Sequence, residues 1–240
     1  MIIKTRGIIF RTVKYSETSI IADIYTEAKG LRAYIVSGVR TQKAKVSAGL
    51  MQVMSLVEIV AYEKEGQSLH RIKEIKAAHV YSSLPFEVLK SSVGIFMAEV
   101  ARRTIRESEE NQELFGFLFD IFQELDATKA NFANFHLAFL LELSAHLGFK
   151  PDEETYTEGA VFDLREGIFS TNTIGHAHFI NENLSKILKN LLQTGWHRSH
   201  EVKITREERR QLLTDLLNFY RFHLDNFPEI NSLKILQEIF

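Results

Sequence analysis

Three sets of residues have the types and spacings that could do chemistry. Gly38-Val39-Arg40-Thr41-Gln42-Lys43-Ala44-Lys45 places three cations within six residues, with Gly49 just beyond, and a basic loop of this kind can follow an irregular phosphate backbone. His176-x-His178 and His197-x-x-His200 have a spacing from which two imidazole pairs could meet on a zinc ion. Neither pair has a nearby carboxylate placed as a third ligand, so the context favours ordinary surface or core histidines. Glu107, Glu109 and Glu110, and Asp152, Glu153 and Glu154, are acid clusters of the sort that solvated faces carry in most soluble chains. There is no G-x-x-x-x-G-K-[ST], no G-x-G-x-x-G, no G-x-S-x-G and no H-E-x-x-H. With no cysteine there is no thiolate nucleophile, no disulfide and no Cys-ligated zinc. The expectation is a protein without catalytic residues, bound metal or cofactor, and therefore not an enzyme.

The charges are segregated. The whole chain of 240 residues has 29 Lys and Arg against 31 Asp and Glu, a net charge of -2. Residues 1–80 hold 13 bases and 7 acids, an excess of +6, which leaves 16 bases and 24 acids, or -8, for residues 81–240. Such asymmetry points to two domains with different partners, although chance segregation on solvated faces gives the same sums. The N-terminal MIIKTRGIIFRTVK lacks the apolar core of a signal peptide, and no stretch approaches the roughly 20 apolar residues of a membrane span. A soluble, cytoplasmic chain with no membrane partner is expected.

The elements that must position these residues change character near residue 81. Before it, Ile8, Phe10 and Thr12, then Ile20–Tyr25, Leu31–Val36, Gln52–Tyr62 and Leu69–Ile75 read as five short strands. Gly30 is placed to supply a positive φ in the hairpin after Glu27-Ala28-Lys29. Five strands in so short a length suit a closed barrel, of the OB type in preference to the compositionally similar SH3 type. After it, Phe86, Leu89, Val93, Phe96, Met97, Val100 and Ala101 follow Pro85 at helical spacing, giving a helix that ends near Arg106. Leu114–Leu125 and Phe132–Leu147 are apolar almost all round, as in helices buried within a bundle. Leu184–Leu192 is a shorter helix, Thr205 with Glu208 forms a capping box before a longer one, and Ser232–Phe240 closes the chain. Val161–Phe169 reads as a small hairpin turning at Glu166-Gly167. The predicted fold class is α+β: an N-terminal five-stranded OB-fold barrel over 1–80, then an all-α domain over 81–240 whose segment 148–180 is irregular.

On that barrel Arg11, Lys14, Lys29 and Arg32 join Arg40, Lys43 and Lys45 as candidate phosphate contacts. Tyr15, Tyr25 and Tyr34 could offer rings for unpaired bases, the alternative for each being a place in the barrel core. No recognition helix with a basic N-terminal face is present, so no base sequence is specified.

The opening segment resembles the bacterial recombination-mediator family RecO in Gly7-Ile8, Tyr15-Ser16-Glu17, Thr26 with Gly30-Leu31 and Ala33, and Gly38-Val39-Arg40. Ser232-Leu233-Lys234-Ile235-Leu236 resembles the closing motif of the same family. The resemblance implies an OB-fold followed by a helical domain, ATP-independent binding and annealing of DNA, and help in loading recombinase onto coated single strands in DNA repair. It implies as partners single- and double-stranded DNA, RecR, the acidic C-terminal tail of single-stranded-DNA-binding protein and, indirectly, RecA, with a nucleoid-associated place in the cytoplasm. A partner tail needs an apolar groove beside a cation; Arg102 and Arg103, or Arg209 and Arg210, lie on apolar helical stripes, the alternative for them being a solvated face.

One departure from the family stands out. Many members carry two C-x-x-C pairs after a helix that ends, as here, in Leu147-Gly148-Phe149-Lys150-Pro151, and this chain has none. The expectation is that Phe162, Leu164, Ile168 and Phe169 hold the segment by packing where a zinc ribbon would stand. An RNA-binding or ribosome-associated OB-fold factor, and a protein-only interaction scaffold, are the alternative functions.

Overall fold

A computed structural model of the chain describes residues 1–39, 48–64, 66–105, 109–172 and 175–239. Five strands, β1 (Ile2–Lys14), β2 (Ser19–Thr26), β3 (Gly30–Ser37), β4 (Leu56–Tyr62) and β5 (Leu69–Ala77), close into a barrel in the order β1-β2-β3-β5-β4. The β3–β5 pair is parallel and β4 returns to β1, which is OB-fold topology. Ile9, Ile24, Tyr34, Val57, Ile59 and Ala61 are among the side chains that fill it.

Closure depends on the long first strand serving two neighbours. β1 pairs with β4 through Ile8 and with β2 from Gly7 onward, so Gly7 faces both Thr26 and Val57. A Cβ there would stand 2.6 Å from Ile24 Cγ2 in the barrel interior, so only glycine fits without repacking. Gly30 takes φ 60° in the β2–β3 hairpin, as its sequence context predicts.

A bulge between Ile9 and Arg11 shifts the register of β1 on β2. It explains why Ile8, Ile9 and Phe10 are all buried. Ile9 enters the barrel core, whereas Phe10 stacks on Tyr25 with centroids 5.8 Å apart, and Tyr25 meets Phe115 at 6.0 Å.

Phe115 belongs to α2 (Gln112–Ala127), which follows α1 (Val88–Thr104). The chain forms two compact units, Met1–Asp126 and Ala127–Phe240, so α1 and α2 belong with the barrel, and the strand-to-helix change near residue 81 falls inside the first unit. Arg6 fixes this arrangement. Its guanidinium lies 4.8 Å from the Phe119 ring and makes a two-pronged pair with Glu27, at 2.9 Å from Nε and 2.6 Å from Nη2. The hydrogen bond from Arg6 holds the Glu27 carboxyl below its ordinary range.

The link from barrel to α1 is knotted by Asp126. Its carboxylate accepts backbone N–H groups of Ser82, Ser83 and Leu84, the closest at 2.7 Å, and the Ser82 hydroxyl at 3.0 Å. Burial pushes that carboxyl up, but these donors outweigh burial and hold it far below the usual carboxylate range. Buried Lys90 donates to Ser83 Oγ at 2.8 Å and to the Asp126 carbonyl at 3.0 Å. Residues 83–87 therefore form a turn rather than helix, and α1 begins only at Val88. That corrects the expected first turn: Phe86 is 76% and Leu89 48% exposed, while Val93, Phe96, Met97, Val100 and Ala101 are buried as expected.

The second unit packs α3 (Phe135–His146), α4 (Glu182–Thr194), α5 (Arg206–His223) and α6 (Leu233–Ile239) with a sheet ordered β7-β6-β8. Those strands are β6 (Val161–Asp163), β7 (Ile168–Ser170) and β8 (Phe179–Ile180). Nine of the twelve residues of α3 are buried, as its all-round apolarity predicts. The Thr205–Glu208 capping box forms in both directions, at 3.2 and 2.9 Å. Phe162, Leu164 and Phe169 are buried; Phe162 lies 4.9 Å from Phe169 and 5.5 Å from Phe219 of α5. Ile168 is a correction, since the alternation of β7 leaves it 37% exposed.

Candidate nucleic-acid interface

The barrel distributes its cations between two ends. At the first, the β1–β2 turn is closed by Tyr15 and Ser16 N–H groups donating to the Ser19 carbonyl, each at 3.1 Å. Lys14 and Tyr15 stand exposed beside it, Tyr15 at 60%. The Val39 N–H donates to the Thr18 carbonyl at 3.1 Å, so the chain leaves this same turn as it enters the basic run. Arg40, Lys43 and Lys45 themselves lie outside the described residues. Arg11 is half exposed on the adjoining face, and Asp23 lies 3.7 Å from it.

Asp23 is also 3.2 Å from Arg102 Nε. Arg102, one of the expected partner contacts, is therefore also tied to the barrel's own β2. Arg103 is half-buried in the last turn of α1, with its Nε out of solvent contact and no hydrogen-bond partner for that atom among the described residues.

The other end holds Lys29 and Arg32. β2 separates the two ends by roughly 23 Å along the strand, at about 3.3 Å per residue. Around Lys29 and Arg32 an open cavity of about 680 Å³ also collects Lys64, Gln67 and His70. Sequence reasoning missed Lys64 and His70 because the closure of β5 against β3, which brings them there, is a long-range pairing.

Tyr34 corrects the expected stacking platform. The β2–β3 register pairs it with Ala22 on the inner face, it is 0% exposed, and its hydroxyl donates to Glu63 Oε1 at 2.9 Å. Burial first, and then that carboxylate, push its phenol well above the ordinary range. Tyr25 is 1% exposed, its alternative place in the core. Of these three tyrosines only Tyr15 has an exposed ring.

The expected partner arginines of the second unit also have partners within the fold. Arg209 donates to Asn134 Oδ1 and to the Ile204 carbonyl, both at 3.0 Å, while Asn134 donates to the Ser199 and Val202 carbonyls at 2.9 and 2.8 Å. Burial pulls the Arg209 pKa down. Arg210 donates to the Gln237 carbonyl, tying α5 to α6. Both guanidinium groups hold the fold together, and Arg209 also lines an open cavity of about 370 Å³ beside Lys203 and Glu208.

His176 lies 3.4 Å from Asp163, a carboxylate distant in sequence that β6 supplies, and His197 stacks on Trp196 with centroids 3.6 Å apart. Among the described residues no three His, Asp or Glu side chains gather as a metal site, and no helix is long and apolar enough to cross a membrane.

Family comparison agrees with this geometry. Residues 1–81 match the model of the recombination protein O N-terminal domain, and residues 86–232 match that of its C-terminal domain. The chain belongs to the RecO family. It is 36% identical over 240 residues to the DNA repair protein RecO of Phocaeicola vulgatus and 37% identical over 241 residues to that of Bacteroides fragilis, in both cases over the whole of each chain. The RecO of Flavobacterium psychrophilum is 35% identical, again across both full lengths. The two RecO family segments meet between residues 81 and 86, within the stretch that Asp126 ties down.

Proposed function

We propose that this chain is a DNA repair protein that binds single- and double-stranded DNA without catalysing a reaction, anneals complementary single strands, and helps load recombinase onto strands coated by single-stranded-DNA-binding protein. Residues 1–80 act as the nucleic-acid-binding domain, supported by α1 and α2, and residues 81–240 carry the protein contacts, RecR and the tail of single-stranded-DNA-binding protein among them. The barrel end at the β1–β2 turn carries this reading. There Lys14 and Tyr15 are exposed, Arg11 is near, and Val39 leads into the basic run. Phosphate contacts from Arg11, Lys14, Arg40, Lys43 and Lys45 give an affinity that is sequence-tolerant and sensitive to salt, and the Tyr15 ring adds stacking that any base satisfies.

The test is charge reversal, Arg40→Glu with Lys43→Glu and Lys45→Glu, measured by single-strand affinity across a salt series and by annealing of complementary oligonucleotides. Weaker binding, a slope lower by about two at roughly 0.7 per lost phosphate contact, and slower annealing are expected. Unchanged binding and annealing by a folded variant would remove the basic run from the mechanism. Stronger binding of the wild-type chain to RNA than to DNA would replace the DNA reading.

A further inference from the structure

We propose that the barrel end opposite the β1–β2 turn is a second phosphate site, one that holds a phosphodiester of a single-stranded nucleic acid independently of the first. The inference rests on the nucleic-acid reading above and adds to it where a further segment of strand is held.

Three elements converge there. The β2–β3 hairpin contributes Lys29 and Arg32, the β4–β5 connection contributes Lys64 and Gln67, and the start of β5 contributes His70. Against Lys29 and Lys64 the described lining holds one carboxylate, Glu63, which already accepts the Tyr34 hydroxyl at 2.9 Å; Glu65, in the same connection, lies outside the described residues. Lysines elsewhere on β5 are compensated, Lys76 by Glu58 at 3.0 Å and Lys73 by Glu74 at 3.4 Å. The side chains of Lys29 and Lys64 make no hydrogen bond or ion pair among the described residues. Uncompensated cations around a concavity focus positive potential into it.

His70 marks the floor. It is 5% exposed, packs 5.8 Å from the Tyr34 ring, and keeps a buried Nδ1 without a hydrogen-bond partner. Buried polar atoms are seldom left so, and an anion oxygen in the cavity would be an acceptor for a proton on this nitrogen. The rest of the lining is polar apart from Met1 and Gly66, and the rings of Tyr34 and His70 are buried. The cavity therefore suits a phosphate and has no seat for a stacked base or an apolar peptide anchor. At roughly 23 Å along β2 from the first end, it holds either a distant part of one strand or a second strand.

The experiment compares the full-length chain with Lys29→Gln/Lys64→Gln, and with a triple variant that adds Arg32→Gln, by single-stranded oligonucleotide affinity across a salt series. The thermal midpoint checks each fold. The double variant should lose about 1.4 from the log–log salt slope and the triple about two, at roughly 0.7 per phosphate. These losses should add to those of Arg11→Gln/Lys14→Gln. An unchanged slope in the double variant, with wild-type binding intact, overturns the second site and leaves the first standing. Absence of wild-type binding overturns the nucleic-acid reading and this inference with it. In nuclear magnetic resonance spectra the Gly66 amide and the His70 imidazole should move with the oligonucleotide. Movement with inorganic phosphate alone identifies a free-anion site and contradicts the proposal.

Discussion

Lysines at the barrel ends and arginines of α5 are put to opposite uses. Arg209, Arg210 and Arg206 of α5 each donate to a main-chain carbonyl. Lys14 and Lys29 sit at strand ends, where the backbone groups nearby are already paired across the barrel, and neither makes an ion pair or side-chain hydrogen bond among the described residues. A charge beside an apolar stripe is thus drawn into holding helix ends and loops, whereas Lys14 and Lys29 on the barrel rim are left to the solvent or a ligand. Charge counts alone do not separate the two cases, and geometry does.

The sharpest break of this comparison uses an acid spent inside the first unit. Asp126→Ala leaves the N–H groups of Ser82, Ser83 and Leu84 without their acceptor, and should cost about 3–5 kcal/mol, read from the denaturant midpoint. A loss under about 1 kcal/mol would mean that the 82–84 segment finds other partners. Next in size is Arg209→Ala, which removes two hydrogen bonds from a charged donor. It should cost about 2–3 kcal/mol while leaving oligonucleotide affinity at the wild-type level; the opposite pattern would return Arg209 to the binding surface.

Acid exposes a third internal group. Burial, helped by the charge of Arg209, pulls the pKa of fully buried His136 from 6.5 down to about 3. The unfolded chain therefore takes up this proton first. The stability tied to it is present above about pH 6.5 and is lost as pH falls toward about 3, at up to about 1.4 kcal/mol per pH unit. His136→Leu should flatten that slope in thermal melts collected across this range, and an unaltered slope would assign the acid sensitivity elsewhere. The smallest stability effect belongs to the rim: Lys14→Gln should shift the midpoint by no more than about 0.5 kcal/mol, yet weaken oligonucleotide binding.

Much of this was legible in the sequence because period and caps are local signals. Five strands, the Gly30 hairpin and the Thr205–Glu208 box are read from neighbouring residues. What was not legible depends on pairings between distant ones. The bulge at Ile9–Arg11 reverses which residues of β1 face inward, and the β2–β3 register sends Tyr34 into the core. Phe86 and Leu89 share the helical period of α1, but the Asp126 knot delays the helix beyond the first of them and leaves both exposed. Of the candidate site, Arg11, Lys14 and Tyr15 stood out by type. Lys64 and His70 did not, since only barrel closure brings them beside Lys29.

The central claim is that nucleic acid meets the barrel rim and leaves the arginines of α5 untouched. The most direct measurement is a nuclear magnetic resonance titration of the isotope-labelled full chain with a single-stranded oligonucleotide. Signals of Lys14, Tyr15, Thr18 and Val39 should move in a saturable, salt-sensitive way while those of Arg209 and Arg210 stay in place. Movement of the α5 arginines with a silent β1–β2 turn would contradict the account.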